Sequence, residues 1–359
     1  MKSLILSLFL FSSIGHANIG DEILDNYQSH LYILPLSLQE HFSTRLFIIT
    51  GNTSYLNPLF LYMYALSERF KYLVSNLSND FLIDEENKRL LTLHDNDAVR
   101  KKLRFKKIEE WNRAAFYLNL LLLIKKINYY KFEKTPLFPA SEQGLNYIKS
   151  QMNTIEPFLV DEKTIKVCGA QCVNYVYYLY DLGVADLRKR FIQKFRKVFP
   201  DEEDKRLSAT DYTIKIYALT HFIIASSNYY QNEADEQMLN WIIDYFEKNI
   251  DEIIRRTEND VIVEVGVCFM LMNKGHLNVV IKIKNYLESV YDKKHRMIPN
   301  KEHSFDLIKG EHRNVLTIML FKWPQKINVI PDSLLMKMNM QGFVQNDANG
   351  EMYYSFNLL

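Results

Sequence analysis

The chain has 359 residues, 44 Lys+Arg against 43 Asp+Glu, and a formal net charge of +1. Such a balance, with no basic stripe, leaves no electrostatic footprint for a nucleic-acid partner. With 48% hydrophobic residues, 23 Tyr and 22 Phe, the chain has ample material for a large core.

In chain order, Met1-Lys2, the apolar run Leu4–Phe11 and the small residues ending at Ala17 have the form of a secretory signal peptide over residues 1–17. Its apolar core is shorter than the roughly 20 residues that span a bilayer, so cleavage after Ala17 and a periplasmic or secreted location are expected. The remaining residues, 18–359, are expected to form a single domain. No later run reaches transmembrane length. The longest, Leu118–Ile124, is interrupted by Asn119 and closed by Lys125-Lys126.

Hairpin signals are scarce, with 11 Gly, 9 Pro, no Asp-Gly and a single Asn-Gly, at Asn349-Gly350. Helical spacing is plentiful. Pro58–Phe70 is an early helical segment. Val173–Leu182 is apolar and aromatic and precedes the amphipathic Leu187–Val198. The charge run Asp201–Arg206 reads as a solvated turn, and Asp211 is placed to cap an apolar helix running to Ala225. Asn240–Arg256 has apolar residues at three-four spacing and charges on the other face, the pattern of a helix with one wet side. Val261–Met272 is apolar nearly all round and stops at Lys274-Gly275. Leu277–Tyr291 is amphipathic again, and Asn314–Phe321 is apolar, closed by Pro324.

An all-round apolar helix must be covered on every side, and its amphipathic successor can cover it from outside. Repetition of this pair predicts an all-α fold with inner and outer layers, an (α/α)6 toroid or, if it does not close, an open solenoid. Polar residues recur on the inner helices at Asn112, Cys172, His221, Glu264 and His312, with steps of 60, 49, 43 and 48 residues. A further step back reaches Tyr62. On this count six hairpins fill the chain, and closure requires Pro58–Phe70 to pack beside the segment after Asn314. Three cysteines make no disulfide framework. Cys168, Cys172 and Cys268 read as small buried hydrophobes, with a strained pair or metal ligation as alternatives.

Three places carry chemistry. Glu264 sits in an apolar run with no cation, where lost hydration raises a carboxyl pKa, as a general acid requires. Arg313 is its expected partner. His221 is a lone imidazole in an apolar helix, with Asn228 and Tyr229 after it to line a rim. Gly310-Glu311-His312-Arg313-Asn314 gathers acid, imidazole, guanidinium and amide directly before an apolar helix, where a helix N-terminus binds anions. Glu264, Glu311 and His221 are thus the candidate catalytic residues, and His312, Arg313, Asn314, Asn228 and Tyr229 the candidate binding residues. Glu264 and Glu311, or Asp211 with either, could flank a glycosidic bond while aromatic faces stack sugar rings. Alternatively, His221, Glu264 and His312 could ligate a metal, though no tight ligand motif occurs. No cofactor is specified by the sequence.

The runs Tyr217–His221, Asn228-Tyr229-Tyr230-Gln231, Asp260–Phe269 and Gly310–Asn314 together resemble an uncharacterised family of secreted bacterial proteins built on a domain of unknown function. The likeness covers roughly residues 165–324, and its most specific part is the Glu-His-Arg-Asn run. More loosely, inner helices bearing Thr-His, then Glu, then His are similar to α/α-toroid proteins such as lanthionine cyclases and six-hairpin glycosidases. The two cysteines at the cyclase zinc positions are missing, which argues against that activity. The resemblance implies a fold and a shared cavity and assigns no activity. The expected function is an exported protein that binds, and in one reading cleaves, a glycan or similar extracytoplasmic molecule. A non-catalytic helical scaffold for a protein or peptide is the alternative.

Overall fold

The computed structural model describes residues 18–92 and 99–331, and the backbone of 345–346 and 352–353. The expected signal peptide therefore lies outside the described residues. The fold is all-α, and apart from a two-residue strand pairing of Gln345–Asn346 with Met352–Tyr353, the described residues form helices and their connections.

Six helices make an inner layer: α2 (Leu36–Thr50), α6 (Ala114–Tyr129), α9 (Glu162–Asp181), α11 (Ala209–Ser226), α13 (Asn259–Leu271) and α15 (Leu307–Phe321). Between them run α1 (Ile19–Ser29), α3 (Asn57–Ser75), α4 (Asp80–Thr92), α5 (Val99–Glu109), α7 (Ser141–Ser150), α8 (Met152–Val160), α10 (Arg188–Val198), α12 (Glu236–Arg256) and α14 (Asn278–Val290). The division follows the hydrophobic pattern. α13 buries every residue from Val261 to Phe269. α12 buries Leu239, Ile242, Ile243, Phe246, Ile250 and Ile253 and leaves Asp244, Glu247, Lys248, Asp251 and Arg255 exposed. At roughly 1.5–3 kcal/mol per large apolar side chain, such a stripe fixes which way each outer helix faces. The buried apolar residues form one contiguous core from Ile23 to Ile330.

Each inner helix packs on the next from α6 through α9, α11, α13 and α15, and α15 packs on α1 and α2. α2 reaches α6 through Lys126 Nζ, which donates to Glu40 Oε2 at 2.9 Å, and Tyr130, just past α6, which bonds the same carboxylate. The two ends of the chain are further joined by Asn26 donating to His295 O, Tyr27 to Leu307 O and Asn328 to Ile48 O. The meeting of the ends is not made by Pro58–Phe70. That segment, inside α3, packs on α2 and α6. The step back of about 50 residues from Asn112 fails because three helices, α3 to α5, intervene between α2 and α6.

Local sequence explains the terminations and close approaches. Gly51 ends α2 in the left-handed region at φ 70°, where glycine is unstrained. Gly266 lets α13 approach α15 closely, since a Cβ there would stand 2.7 Å from Leu320 Cδ2. Ser208, rather than Asp211, caps α11 by accepting from the Asp211 backbone N–H. The charge run Asp201–Arg206 is a 3-10 turn, and its Asp201 and Asp204 each accept a 2.7 Å bond from the buried Lys215. All three cysteines are buried free thiols, with Cys168 at a non-helical residue inside α9.

Candidate functional site

The inner helices surround a cavity of about 360 Å3, within the range of small-molecule sites. Each of the six contributes: Glu40, His41, Thr44 and Arg45 from α2, Lys125, Lys126 and Tyr129 from α6, Asn174 and Tyr178 from α9, His221 from α11, Glu264 from α13, and Glu311 and His312 from α15. Tyr130, Tyr229 and Tyr230 also line it, Tyr229 half-exposed and the other two buried.

Glu264 is 1% exposed, and burial pushes its carboxyl up from 4.5 to about 7 against the opposing pull of His312 and Thr220. Hydrogen bonding points the same way. Thr220 Oγ1 lies 2.6 Å from Glu264 Oε2 and 2.8 Å from the Tyr217 carbonyl. A carbonyl only accepts, and a threonine has one hydroxyl proton, so both contacts are satisfied together when Glu264 carries its own proton. On its other oxygen, Glu264 Oε1 faces His312 Nε2 at 3.2 Å, and His312 Nδ1 stands 3.5 Å from Asp260 Oδ1. Burial works against a charged His312, but the Asp260 hydrogen bond and the carboxylates around it win and raise its pKa.

Glu311 is also 1% exposed, and burial lifts it to about 7 against the nearby Arg45 and His312 charges. Its Oε1 is 2.8 Å from His41 Nδ1, while its buried Oε2 has no partner. Burial, with Arg45 and His312 nearby, holds His41 well below the usual imidazole range, so one proton serves the His41–Glu311 contact. His221 is pressed down to about 3 by burial and by His312 and is neutral. Its Nδ1–H donates to Asn174 Oδ1 at 2.7 Å, an assignment made from the bonding pattern. That leaves the Nε2 lone pair buried and unpartnered, 4.0 Å from Glu264 Oε2.

Glu264, Glu311, His221, His312 and Tyr229 therefore gather at one cavity. Others of the expected residues do not. The Gly310–Asn314 cluster is not the start of a helix. α15 begins at Leu307, capped by Asp306, whose side chain accepts from the Ile308 and Lys309 amides, so the cluster lies a turn inside and the N-terminal anion site is absent there. On a helix, successive side chains diverge by about 100°. Glu311 and His312 face the cavity, whereas Arg313 donates to Ile298 O at 2.8 Å and Asp260 Oδ2 at 3.0 Å. Arg313 is thus the partner of Asp260, not of Glu264. Asn314 ties the Ile298 backbone and Gly310 O. Asn228 accepts from Lys125 Nζ at 2.7 Å and supports the wall from behind. Asp211, in the first turn of α11, does not line the cavity, and neither do Asn112, in the turn before α6, nor Cys172, buried in α9. Among the described residues no group of three or more His, Cys, Asp or Glu has an arrangement that would hold a metal ion.

Asn228, Tyr229 and Tyr230 occupy the left-handed region in succession, at φ 48°, 51° and 73°, which is costly for tyrosine. Bonds from all sides hold this turn. Tyr129 Oη donates to Tyr229 O, the Tyr178 and Tyr229 hydroxyls pair at 2.9 Å, and the Tyr230 amide donates to Ser227 Oγ. The outcome is a pair of rings, Tyr229 and Tyr230, fixed at the cavity wall.

Fold and site together define an all-α protein built around one polar, tyrosine-walled cavity. The chain belongs to the family described as Domain of unknown function (DUF3541), whose profile matches residues 16–341. No curated protein and no solved structure matches it. The match is wider than the stretch of 165–324 that carried the resemblance, and it takes in α2, whose polar residues complete the cavity. No helix among the described residues is long and apolar enough to cross a membrane.

Proposed function

We propose that this chain is an exported α/α-toroid protein whose central cavity binds a glycan and cleaves it by general acid–base chemistry. One observation carries the reading: two buried carboxyls, Glu264 and Glu311, line the same cavity, each poised near pH 7 by burial. A group that titrates near the working pH transfers protons most effectively. Glu264, protonated against Thr220, is the acid that delivers a proton to the leaving glycosidic oxygen. Glu311 shares a proton with His41 and is the base that takes one from the attacking water. The neutral His221, with Nε2 free, accepts a hydrogen bond from a sugar hydroxyl. The half-exposed rings of Tyr129 and Tyr229 stack pyranose rings, which offer apolar C–H surfaces.

The scaffold alternative would leave these groups apart or paired off, and their convergence on one cavity favours the enzyme. Export rests on the first 17 residues. The test is incubation of the purified mature chain with a panel of neutral and acidic oligosaccharides, followed by mass spectrometry of products. Shorter oligosaccharides from at least one class are expected. Neither cleavage nor saturable binding across the panel would overturn the glycan reading.

A further inference from the structure

Among the cationic side chains that line the cavity, Arg45 alone lacks an ion pair with a described residue. Lys125 Nζ donates to Asp181 Oδ2 at 2.5 Å, Lys126 to Glu40 Oε2 at 2.9 Å, and His312 sits between Asp260 and Glu264. Arg45 makes no ion pair with a described carboxylate. Of its five N–H donors, one, on Nη1, reaches the His41 carbonyl in its own helix at 3.1 Å. Its Nε is buried without any partner. The Tyr230 ring centroid lies 5.8 Å from the guanidinium, a contact that brings no negative charge. The nearby Glu311 carboxyl is engaged by His41 at 2.8 Å. Arg45 is half-buried at the cavity wall. A guanidinium whose Nε is buried without a partner is costly, and what relieves it is an oxyanion matching its fork.

We propose that the cavity is built for an acidic glycan, with Arg45 binding an anionic group of the ligand. This rests on the glycan reading above and adds the substrate class. The guanidinium's unused donors call for an oxyanion on the sugar in contact, a uronate carboxylate or a sulfate ester. Both have the oxygen pair that a guanidinium fork grips. Arg45 is a binding and specificity residue here.

The test is calorimetric titration of the mature chain with three ligands of equal length: an oligogalacturonide, the neutral galacto-oligosaccharide, and a monosulfated derivative of the neutral one. Wild type is expected to bind one or both acidic ligands at least roughly ten-fold more tightly than the neutral one, the scale of one charge-assisted hydrogen bond. Arg45→Met is expected to abolish that preference, and Arg45→Lys, which keeps charge without the fork, to retain part of it. The two acidic arms separate carboxylate from sulfate. Thermal unfolding of each variant confirms folding, and the wild-type preference stands as a test even if both variants misfold. Equal binding of neutral and acidic ligands, or neutral binding alone, would overturn the Arg45 assignment and leave the glycan reading standing. No binding by any of the three ligands overturns this assignment, and silence across the whole panel overturns the glycan reading as well.

Discussion

His41 Nδ1 meets Glu311 Oε1 at 2.8 Å although the two residues are 270 positions apart. The contact joins the first inner helix, α2, to the last, α15, so the packing of the chain's two ends on each other also completes the site. Because Glu311 Oε2 is already unpartnered, His41 is the one side chain that bonds this buried carboxyl among the described residues. Replacing His41 with Ala should destabilise the fold by about 1–3 kcal/mol, the cost of a buried polar group left unsatisfied. Urea unfolding checks this, and an unchanged midpoint would mean that water or a rearranged side chain replaces the imidazole.

Stability should depend on pH in a direction set by the buried acids. A carboxyl that sits at 4.5 when unfolded and about 7 when folded binds its proton more tightly in the native state. Its contribution is therefore full below pH 4.5 and lost as pH rises through 7. For Glu264 that difference corresponds to roughly 3 kcal/mol. His221, near 3 when folded against the ordinary 6.5, works oppositely and costs stability as pH falls below 6.5. Gln at position 264 mimics the protonated acid, donating to Thr220 and accepting from His312. Glu264→Gln should thus match wild type near pH 5 and exceed it near pH 8. Thermal unfolding at both pH values checks this, and equal loss at both would place an ionised Glu264 in the native state.

The close approach of α13 and α15 gives a prediction remote from the chemistry. A Cβ at Gly266 would stand 2.7 Å from Leu320 Cδ2 and 3.3 Å from Ile283 Cγ2. Gly266→Ala should cost about 1–3 kcal/mol through overpacking, more than the gain in helix propensity returns. A melting temperature equal to or above wild type would show that Leu320 has room to turn aside.

The alternation of α11, α12, α13 and α14 was legible because apolar side chains repeat at helical spacing along them, and Glu264 and His221 stood out as polar groups on all-round apolar helices. Glu311 and His312 were legible as a cluster, but their separation from Arg313 and Asn314 depends on where α15 starts, which Asp306 decides. α2 carries a fainter signal: Glu40, His41, Thr44 and Arg45 form a polar group at helical spacing among Phe42 and Leu46–Ile49. The constant step hid it, since α3, α4 and α5 make the distance from Glu40 to Lys126 86 residues. Asn228 and Tyr229 stood out as polar residues after the apolar helix of His221, but the left-handed turn that sets Tyr229 and Tyr230 at the cavity gave no signal, because two tyrosines in that region run against local preference and are held there by tertiary bonds.

The central claim is that Glu264 delivers a proton to a glycan bound in the cavity, and the most direct measurement is turnover of Glu264→Gln against wild type. The assay uses whichever oligosaccharide the wild-type chain cleaves, with binding measured on the same preparations. The account predicts that the variant folds and binds the oligosaccharide about as well, while its turnover falls by about 10²–10⁴, the usual weight of a general acid. It further predicts that wild-type turnover falls on the alkaline side of about pH 7, as the acid loses its proton. Turnover by Glu264→Gln equal to wild type, with the same pH profile, would contradict the claim and reduce Glu264 to a structural partner of Thr220 and His312.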